Sequence, residues 1–244
     1  MSSYRLDAPL DELLDMAKAS FQVEFTPVGI DTVTLEVLQI ADMETYVDEL
    51  AATAKPGQLE LPFWAKIWPA SLLLGYYVNR MQAPAGASFL EIGAGIGHVG
   101  LVAAQRGFDV TITDIDDKAL LFSQINILHN GLQDKAVVRK ADFSSTRFDA
   151  PFDFILGSEV LYIEDLYRPL VKFLLRALKA EPHAEVVLAK EYSRKAKKFF
   201  NEADKEFHIQ EKVLGYKEKD ATEGDAEKYL CAICRLRHKK LRPA

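Results

Sequence analysis

Residues 89–114 constrain the fold more than any other stretch. They read Phe-Leu-Glu-Ile-Gly-Ala-Gly-Ile-Gly-His-Val-Gly, continue as an apolar helix start, and close on Asp-Val-Thr-Ile-Thr-Asp. The apolar run 89–92 suits a buried strand, and Gly93, Gly95 and Gly97 form a turn whose backbone can approach a ligand closely. Residues 99–105 then begin a helix that Gly107 can end, and a second strand over 110–113 runs into Asp114. In doubly wound folds an acidic side chain there, about 20 residues after the glycines, accepts hydrogen bonds from ribose hydroxyls. The pattern therefore predicts an α/β sheet with a nucleotide cofactor at its carboxyl edge.

Two chemistries fit the glycines. Gly95-Ile96-Gly97-His98-Val99-Gly100 satisfies G-x-G-x-x-G, the pyrophosphate turn of NAD and FAD enzymes. The other register, Glu91-Ile92-Gly93-Ala94-Gly95-Ile96-Gly97, resembles motif I of the class I S-adenosylmethionine methyltransferases, where an acidic residue precedes three alternating glycines. The surroundings favour the second. About ninety residues precede the turn, whereas dinucleotide folds commonly open with it. Downstream, Val137 and Val138 lead to Lys140-Ala141-Asp142-Phe143, which resembles the methyltransferase motif whose acidic residue meets the adenine amino group. A fourth strand over 152–156 ends in Gly157-Ser158-Glu159, at the edge where such sheets bind ligands.

The rest of the chain organises around this core. Residues 1–60 read as an accessory segment and 61–244 as the main domain. Leu6, Leu10, Leu13, Leu14 and Ala17 predict a helix within 4–19, and Phe21, Val23 and Phe25 followed by Val33, Leu35 and Val37 predict a hairpin turning at Pro27-Val28-Gly29. Pro69 suits the first turn of a helix. Just before it, Trp64 and Trp68 either pack that helix on the sheet or cover a bound nucleoside. A helix over 118–129 carries Ala119, Phe122, Asn126 and Ile127 near one face, with Asn126 read as an ordinary polar helix residue and Asn130-Gly131 closing the helix. Helices over 166–178 and 196–207 and strands over 186–189, 209–214 and 229–236 complete a count of seven core strands. The charged stretch 215–228 reads as a mobile loop, the basic run at 194–198 as a solvated helix face, and His98 as a helix-start residue rather than a catalyst.

Composition narrows the function. A 244-residue chain that is 49% hydrophobic can bury a sizeable core, which excludes disorder of the whole. A net charge of −6 argues against a general affinity for nucleic acid and suits a basic substrate. No apolar run approaches a membrane span of about 20 residues, and Met-Ser-Ser-Tyr-Arg opens no signal-peptide core, so the expectation is a cytoplasmic protein without a membrane partner. The two cysteines, Cys231 and Cys234, lie three apart on a strand and point to opposite faces, which favours core packing over a metal site.

Taken together, Trp64-Ala65-Lys66-Ile67-Trp68-Pro69-Ala70-Ser71 and Ser158-Glu159-Val160-Leu161-Tyr162 resemble the seven-β-strand methyltransferases of the protein-lysine methyltransferase and nicotinamide N-methyltransferase-like group. The resemblance covers roughly residues 60–237. It implies a Rossmann-like sheet of strand order 3-2-1-4-5-7-6 with helices on both faces, beside the N-terminal helix and hairpin. It further implies S-adenosyl-L-methionine as cofactor, S-adenosyl-L-homocysteine as product, and a protein substrate presenting a lysine. By resemblance Glu91, Gly93, Gly95 and Gly97 shape the cofactor turn, Asp114 binds ribose, Asp142 with Phe143 reads adenine, and Trp68 and Ser158 line the pocket. Glu159 and Tyr162 hold or orient the acceptor nitrogen, with Glu159 standing where the family usually carries aspartate. A small-molecule amine, a protein arginine, an NAD- or FAD-dependent oxidoreductase and a non-catalytic module that binds a partner through the hairpin are the alternatives.

Overall fold

Strands covered on both faces need no polar side, so the continuous apolar runs become the middle of the sheet. The computed structural model describes residues 4–55, 57–217 and 228–239. An N-terminal extension comprises α1 (Leu10–Lys18), the antiparallel hairpin β1 (Val23–Ile30) and β2 (Val33–Ile40), and α2 (Met43–Thr53). There follow α3 (Pro69–Arg80), β3 (Ser88–Ile92), α4 (His98–Gln105), β4 (Asp109–Asp114), α5 (Asp117–His129) and β5 (Ala136–Lys140). The chain continues through β6 (Phe154–Ser158), α6 (Tyr167–Ala177), β7 (Glu185–Glu191), α7 (Lys197–Ala203), β8 (Phe207–Lys217) and β9 (Lys228–His238).

The large sheet has seven strands in the order β5-β4-β3-β6-β7-β9-β8. Only β9 runs antiparallel to its neighbours β7 and β8. Counted from β3, this is the order 3-2-1-4-5-7-6 that the resemblance implies. The chain leaves β3 toward β4 and β5 on one side and returns to β6 on the other, so the crossovers diverge above the carboxyl ends of β3 and β6. A doubly wound sheet opens its ligand crevice at such a switch point.

Helices cover both faces. Leu74 and Val78 of α3, Leu101 of α4 and Phe122 of α5 pack with Phe89 and Ile112 on one side. On the other, Leu170 and Leu174 of α6 and Phe199 of α7 pack with Leu90, Val186 and Phe207. Cys231 belongs to the first cluster and Cys234 to the second, the opposite-face placement that strand periodicity predicts. Burial raises their thiols to about 11 and about 12, which makes both inert core residues.

The N-terminal extension corrects several expectations. Its helix starts only at Leu10, because Pro9 restricts the residue before it and takes the N-cap place. The hairpin turns at Asp31-Thr32 rather than Pro27-Val28-Gly29: Ile30 pairs with Val33, and Asp31 takes the left-handed φ of 57° that aspartate tolerates. Pro27 instead sits inside β1 opposite Glu36, in a two-stranded ribbon whose open edges accommodate a missing N–H. The sequence reading lacked α2 altogether; this helix has no buried residue and hence no apolar stripe to reveal it, although Asp42 caps it through the Thr45 amide at 2.9 Å. At the other end, α7 stops at Ala203 and Phe207 already opens β8. Of the stretch 215–228 predicted as a mobile loop, residues 215–217 instead end β8 and Lys228 opens β9, because the two strands pair to that length, and 218–227 lie outside the described residues.

Two asparagines one turn apart, Asn126 on α5 and Asn130 at its C-cap, dock the hairpin. The buried Asn126 accepts the Leu38 amide at 2.7 Å and donates to the Ile96 carbonyl at 3.0 Å. Asn130 accepts the Glu36 amide at 3.1 Å and donates to the Glu36 carbonyl at 2.8 Å, as a neighbouring strand would. Phe21 makes edge contacts with Tyr46, Trp64 and Phe122, tying the extension to the residues around the glycine turn.

Replacing Asn126 by leucine leaves the Leu38 amide and the Ile96 carbonyl buried and unpaired, so denaturant unfolding should show a loss of about 2–4 kcal/mol. Asn130→Ala, at a more exposed place, should cost clearly less. Equal small losses for both would mean that the asparagines do not hold the hairpin.

Candidate active site

The glycine turn is shaped from below by two buried carboxylates. Glu91, near the end of β3, accepts the Gly100 amide of α4 at 2.7 Å through Oε2. Asp114, the last residue of β4, accepts the Gly95 amide at 2.8 Å through Oδ2 and the Asp116 amide at 3.0 Å through Oδ1. The acidic side chain of Glu91 thus faces the amino end of a helix, where backbone N–H groups lack partners. Burial raises the Glu91 carboxyl to about 8, against the lowering effect of the Gly100 and Val99 amides. Burial likewise raises Asp114 above the usual aspartate range.

Gly93, Gly95 and Gly97 all take positive φ, at 56°, 56° and 81°. At Gly95 the requirement is twofold, since a Cβ would also run into the Trp64 carbonyl oxygen. The Gly95 carbonyl in turn accepts the Ser123 hydroxyl at 2.9 Å. Gly100 is needed for a different reason: a Cβ there would meet Glu91 Oε2 at 2.5 Å and Ile112 at 2.6 Å. Such close helix-to-strand packing is common to both glycine registers, so Gly100 alone does not choose between them.

Beside Asp114, the Ala141 amide donates to the Asp114 carbonyl at 3.0 Å and brings the β5 exit next to the β4 exit. Asp142 follows at once, half-buried, with Oδ1 accepting the Ser144 amide and hydroxyl, both at 2.7 Å. Those bonds hold its carboxyl below the usual range. Two carboxylates thus stand at adjacent strand ends. Asp114 keeps acceptor capacity beyond its amide bonds, and both Ser144 bonds fall on Asp142 Oδ1 rather than Oδ2. This acceptor set fits ribose hydroxyls and an exocyclic amine, and so fits S-adenosylmethionine.

Across the switch point, Ser158 ends β6 half-buried and paired with Ala189 of β7. Glu159 then adopts φ of 53°, an uncommon conformation for glutamate. Its Oε1 accepts the Glu191 amide at 2.6 Å, while Oε2 lies 3.4 Å from Arg194 Nε without a hydrogen bond. The carboxylate is therefore engaged with the exit of β7. Burial raises its pKa, opposed by the Glu191 amide and Arg194. Tyr162 is 59% exposed at the mouth of the crevice. Burial, with the charge of Asp114, raises its pKa, which keeps the phenol protonated at neutral pH.

The aromatic candidates divide. The Trp64 ring packs edge-on against Phe122 at 5.0 Å and Phe21 at 5.8 Å, so it is core, while its carbonyl covers Gly95. Trp68 caps α3 half-buried, donates its indole N–H to the Phe63 carbonyl at 3.1 Å, and carries Lys66 over its ring at 4.9 Å. The Phe143 ring turns toward α6 and packs on Phe173 at 5.6 Å, so its side chain serves that packing. Sequence reasoning missed Asn126, Ser123 and Arg194 as supports of the site. A polar residue on the apolar stripe of α5 was the available signal for the first.

The comparisons with known proteins agree with this geometry. A family model described as lysine methyltransferase matches residues 60–206. The chain is 30% identical to EEF1A lysine methyltransferase 3 of Mus musculus over 80% of its own length and 81% of the relative's. It is 38% identical to protein N-lysine methyltransferase METTL21A of Mus musculus, over 45% of this chain, and there it spans only 53% of the relative. Among solved structures, precorrin-6y C5,15-methyltransferase from Geobacter metallireducens superposes with a TM-score of 0.54 at 14% identity, over 69% of this chain and 87% of that one. The Pyrococcus abyssi tRNA (uracil-54, C5)-methyltransferase in complex with S-adenosyl-L-homocysteine gives 0.53 at 16% identity, over 87% of this chain and 44% of that one. At those identities the structures share the fold.

His98, the first residue of α4, supplies a test of the packing under the turn. It is buried, neither ring nitrogen has a hydrogen-bond partner among the described residues, and burial lowers its pKa to about 4. The folded state therefore keeps it neutral, and the stability that depends on this is complete above about pH 6.5 and lost as pH falls toward 4. The stability of His98→Leu relative to the parent should rise by about 3 kcal/mol between pH 7.5 and pH 4. A difference independent of pH would show that His98 reaches water or a partner.

Proposed function

We propose, because the chain belongs to the lysine methyltransferase family, that it is an S-adenosylmethionine-dependent N-methyltransferase acting on a lysine side chain of another protein. The observation that carries a protein acceptor is the rim of the crevice. Phe63 before α3, Ile115 after β4, Tyr162 and Ile163 after β6, and Tyr192 after β7 are all large apolar or aromatic side chains exposed at the carboxyl edge. Apolar side chains clustered around a site mark a surface that another macromolecule covers. The net charge of −6 suits a basic acceptor segment. The cytoplasm is the proposed place of action, supported by two buried, unpaired thiols.

When bound, the cofactor would supply an electrophilic methyl carbon on a sulfonium, open to in-line attack by a neutral amine with the thioether sulfur as leaving group. The chain's own task is to orient and desolvate the amine in its neutral form, the proton going to water. Asp114 and Asp142 accept hydrogen bonds from the nucleoside, and the rigid glycine turn fixes its approach. A lysine has a free pKa of about 10.4, and burial against Tyr162 and its apolar neighbours favours the neutral amine. Tyr162 stays protonated and orients the nitrogen. Glu159, tied to the Glu191 amide and flanked by Arg194, acts as a positioning group. A carboxylate closer to the amine would stabilise the ammonium form and oppose transfer.

Two substitutions separate the roles. Asp114→Ala should weaken S-adenosylmethionine binding by about 1–3 kcal/mol in titration calorimetry, through lost charge-assisted hydrogen bonds. Tyr162→Ala should leave cofactor affinity within about 0.5 kcal/mol while labelled-methyl transfer into protein falls at least about tenfold. Peptide mass spectrometry should place the label on lysine. Label on arginine or on a small amine would contradict the proposed acceptor.

A further inference from the structure

The sheet carries a second concavity, at the end opposite the glycine turn. A cleft of about 630 Å³ lies between α3 and the strands β7, β9 and β8. Its wall is the later part of α3, with Tyr76, Tyr77 and Arg80, and its floor is Glu185 at the start of β7 with Arg235 and Arg237 near the end of β9. The helix starts at Pro69, beside the segment that covers the cofactor turn, and runs 12 residues, or about 18 Å, to Arg80. The cleft is thus distinct from the cofactor crevice.

Its electrostatics are built rather than incidental. Glu185 is only 2% exposed. Arg235 donates to Glu185 Oε2 from Nε at 3.0 Å and from a terminal nitrogen at 2.7 Å, Arg237 donates from Nε at 2.9 Å, and the Tyr77 hydroxyl reaches Oε1 at 3.3 Å. Two guanidiniums on one carboxylate leave one surplus positive charge. Arg237 uses only its Nε–H there, so its terminal N–H groups have no acceptor among the described residues. Lys212 of β8, exposed on the same floor and without a partner among the described residues, adds a second surplus charge. Arg80 is neutralised by Asp31 at 3.1 Å. A doubly cationic cleft in a chain of net charge −6 selects an anion.

We propose that this cleft is a second ligand site, which takes a small phosphorylated molecule bearing an apolar or aromatic body. In register Arg237 faces His208 while Lys212 lies farther along β8, so a diphosphate, with charge on each of its two groups, matches the surplus where a single carboxylate would leave part of it. Leu73, Met81, Phe154 and Leu214 supply apolar lining beside Tyr76. The volume falls in the range of small-ligand pockets, about 300–1,000 Å³. Nothing in this assignment depends on the methyltransferase reading.

Titration calorimetry of the full chain with uridine 5′-diphosphate and with pyrophosphate tests it. Saturable binding of uridine 5′-diphosphate, tighter than that of pyrophosphate, should weaken at least about tenfold in Lys212→Gln and in Arg237→Gln and be unchanged in Asp114→Ala. Lys212→Gln removes an exposed side chain without a partner among the described residues and leaves the fold intact, so its result stands even if Arg237→Gln disturbs Glu185. Absence of saturable binding to the parent at millimolar concentrations would overturn the proposal. Binding that survives Lys212→Gln, binding lost in Asp114→Ala, or equal affinity for the two probes would do so as well.

Discussion

Two buried carboxylates beneath one turn govern the structure. Glu91 takes the Gly100 amide and Asp114 takes the Gly95 amide, so a segment that must present its backbone to a ligand is held by side chains in addition to the Gly97-to-Ala94 backbone bond. Burying acidic groups is costly unless hydrogen bonds repay the lost hydration, and here backbone amides at a helix start do so. The Glu91 carboxyl, raised to about 8, records what remains of that cost. The bond requires α4 to lie so close to β3 and β4 that position 100 has no room for a side chain. A rigid turn at a switch point is ready to bind before the ligand arrives, which is the condition for orientation to contribute to rate.

The elements around the turn extend this arrangement outward. Asn126 links the Ile96 carbonyl to the hairpin, and the cluster of Phe21, Tyr46, Trp64 and Phe122 joins the extension to the segment over Gly95. The N-terminal residues thus share one core with the sheet. The two ends of that sheet differ in chemistry. The carboxyl edge gathers exposed apolar rings beside buried carboxylates, suited to a nucleoside cofactor and a macromolecular acceptor. The amino edge gathers cations over one buried glutamate.

Much of this was legible in the sequence because its signals are local and periodic. Apolar runs gave the seven core strands, the glycines and Asp114 gave the turn, and a three-residue spacing separated Cys231 from Cys234. Strand order came through the resemblance, since periodicity does not encode which strands pair. The illegible parts depend on distant partners. The hairpin turn fell at Asp31-Thr32 because pairing register outranked the turn residues Pro27 and Gly29. Asn126 looked ordinary until β2 met it across 88 residues. Phe143 followed an acidic motif residue, yet its ring is claimed by Phe173. Glu159 was recognisable as a motif acid, whereas its engagement with Glu191 and Arg194 exists only once β7 lies beside β6.

The most direct test of the central claim is a crystal structure of the protein with S-adenosyl-L-homocysteine. The ribose hydroxyls should lie within hydrogen-bond distance of Asp114, the adenine amine should face Asp142, and the sulfur should point toward Tyr162. A ligand seated away from the Glu91–Asp114 turn, or a turn that accepts only the pyrophosphate of a dinucleotide, would contradict the account.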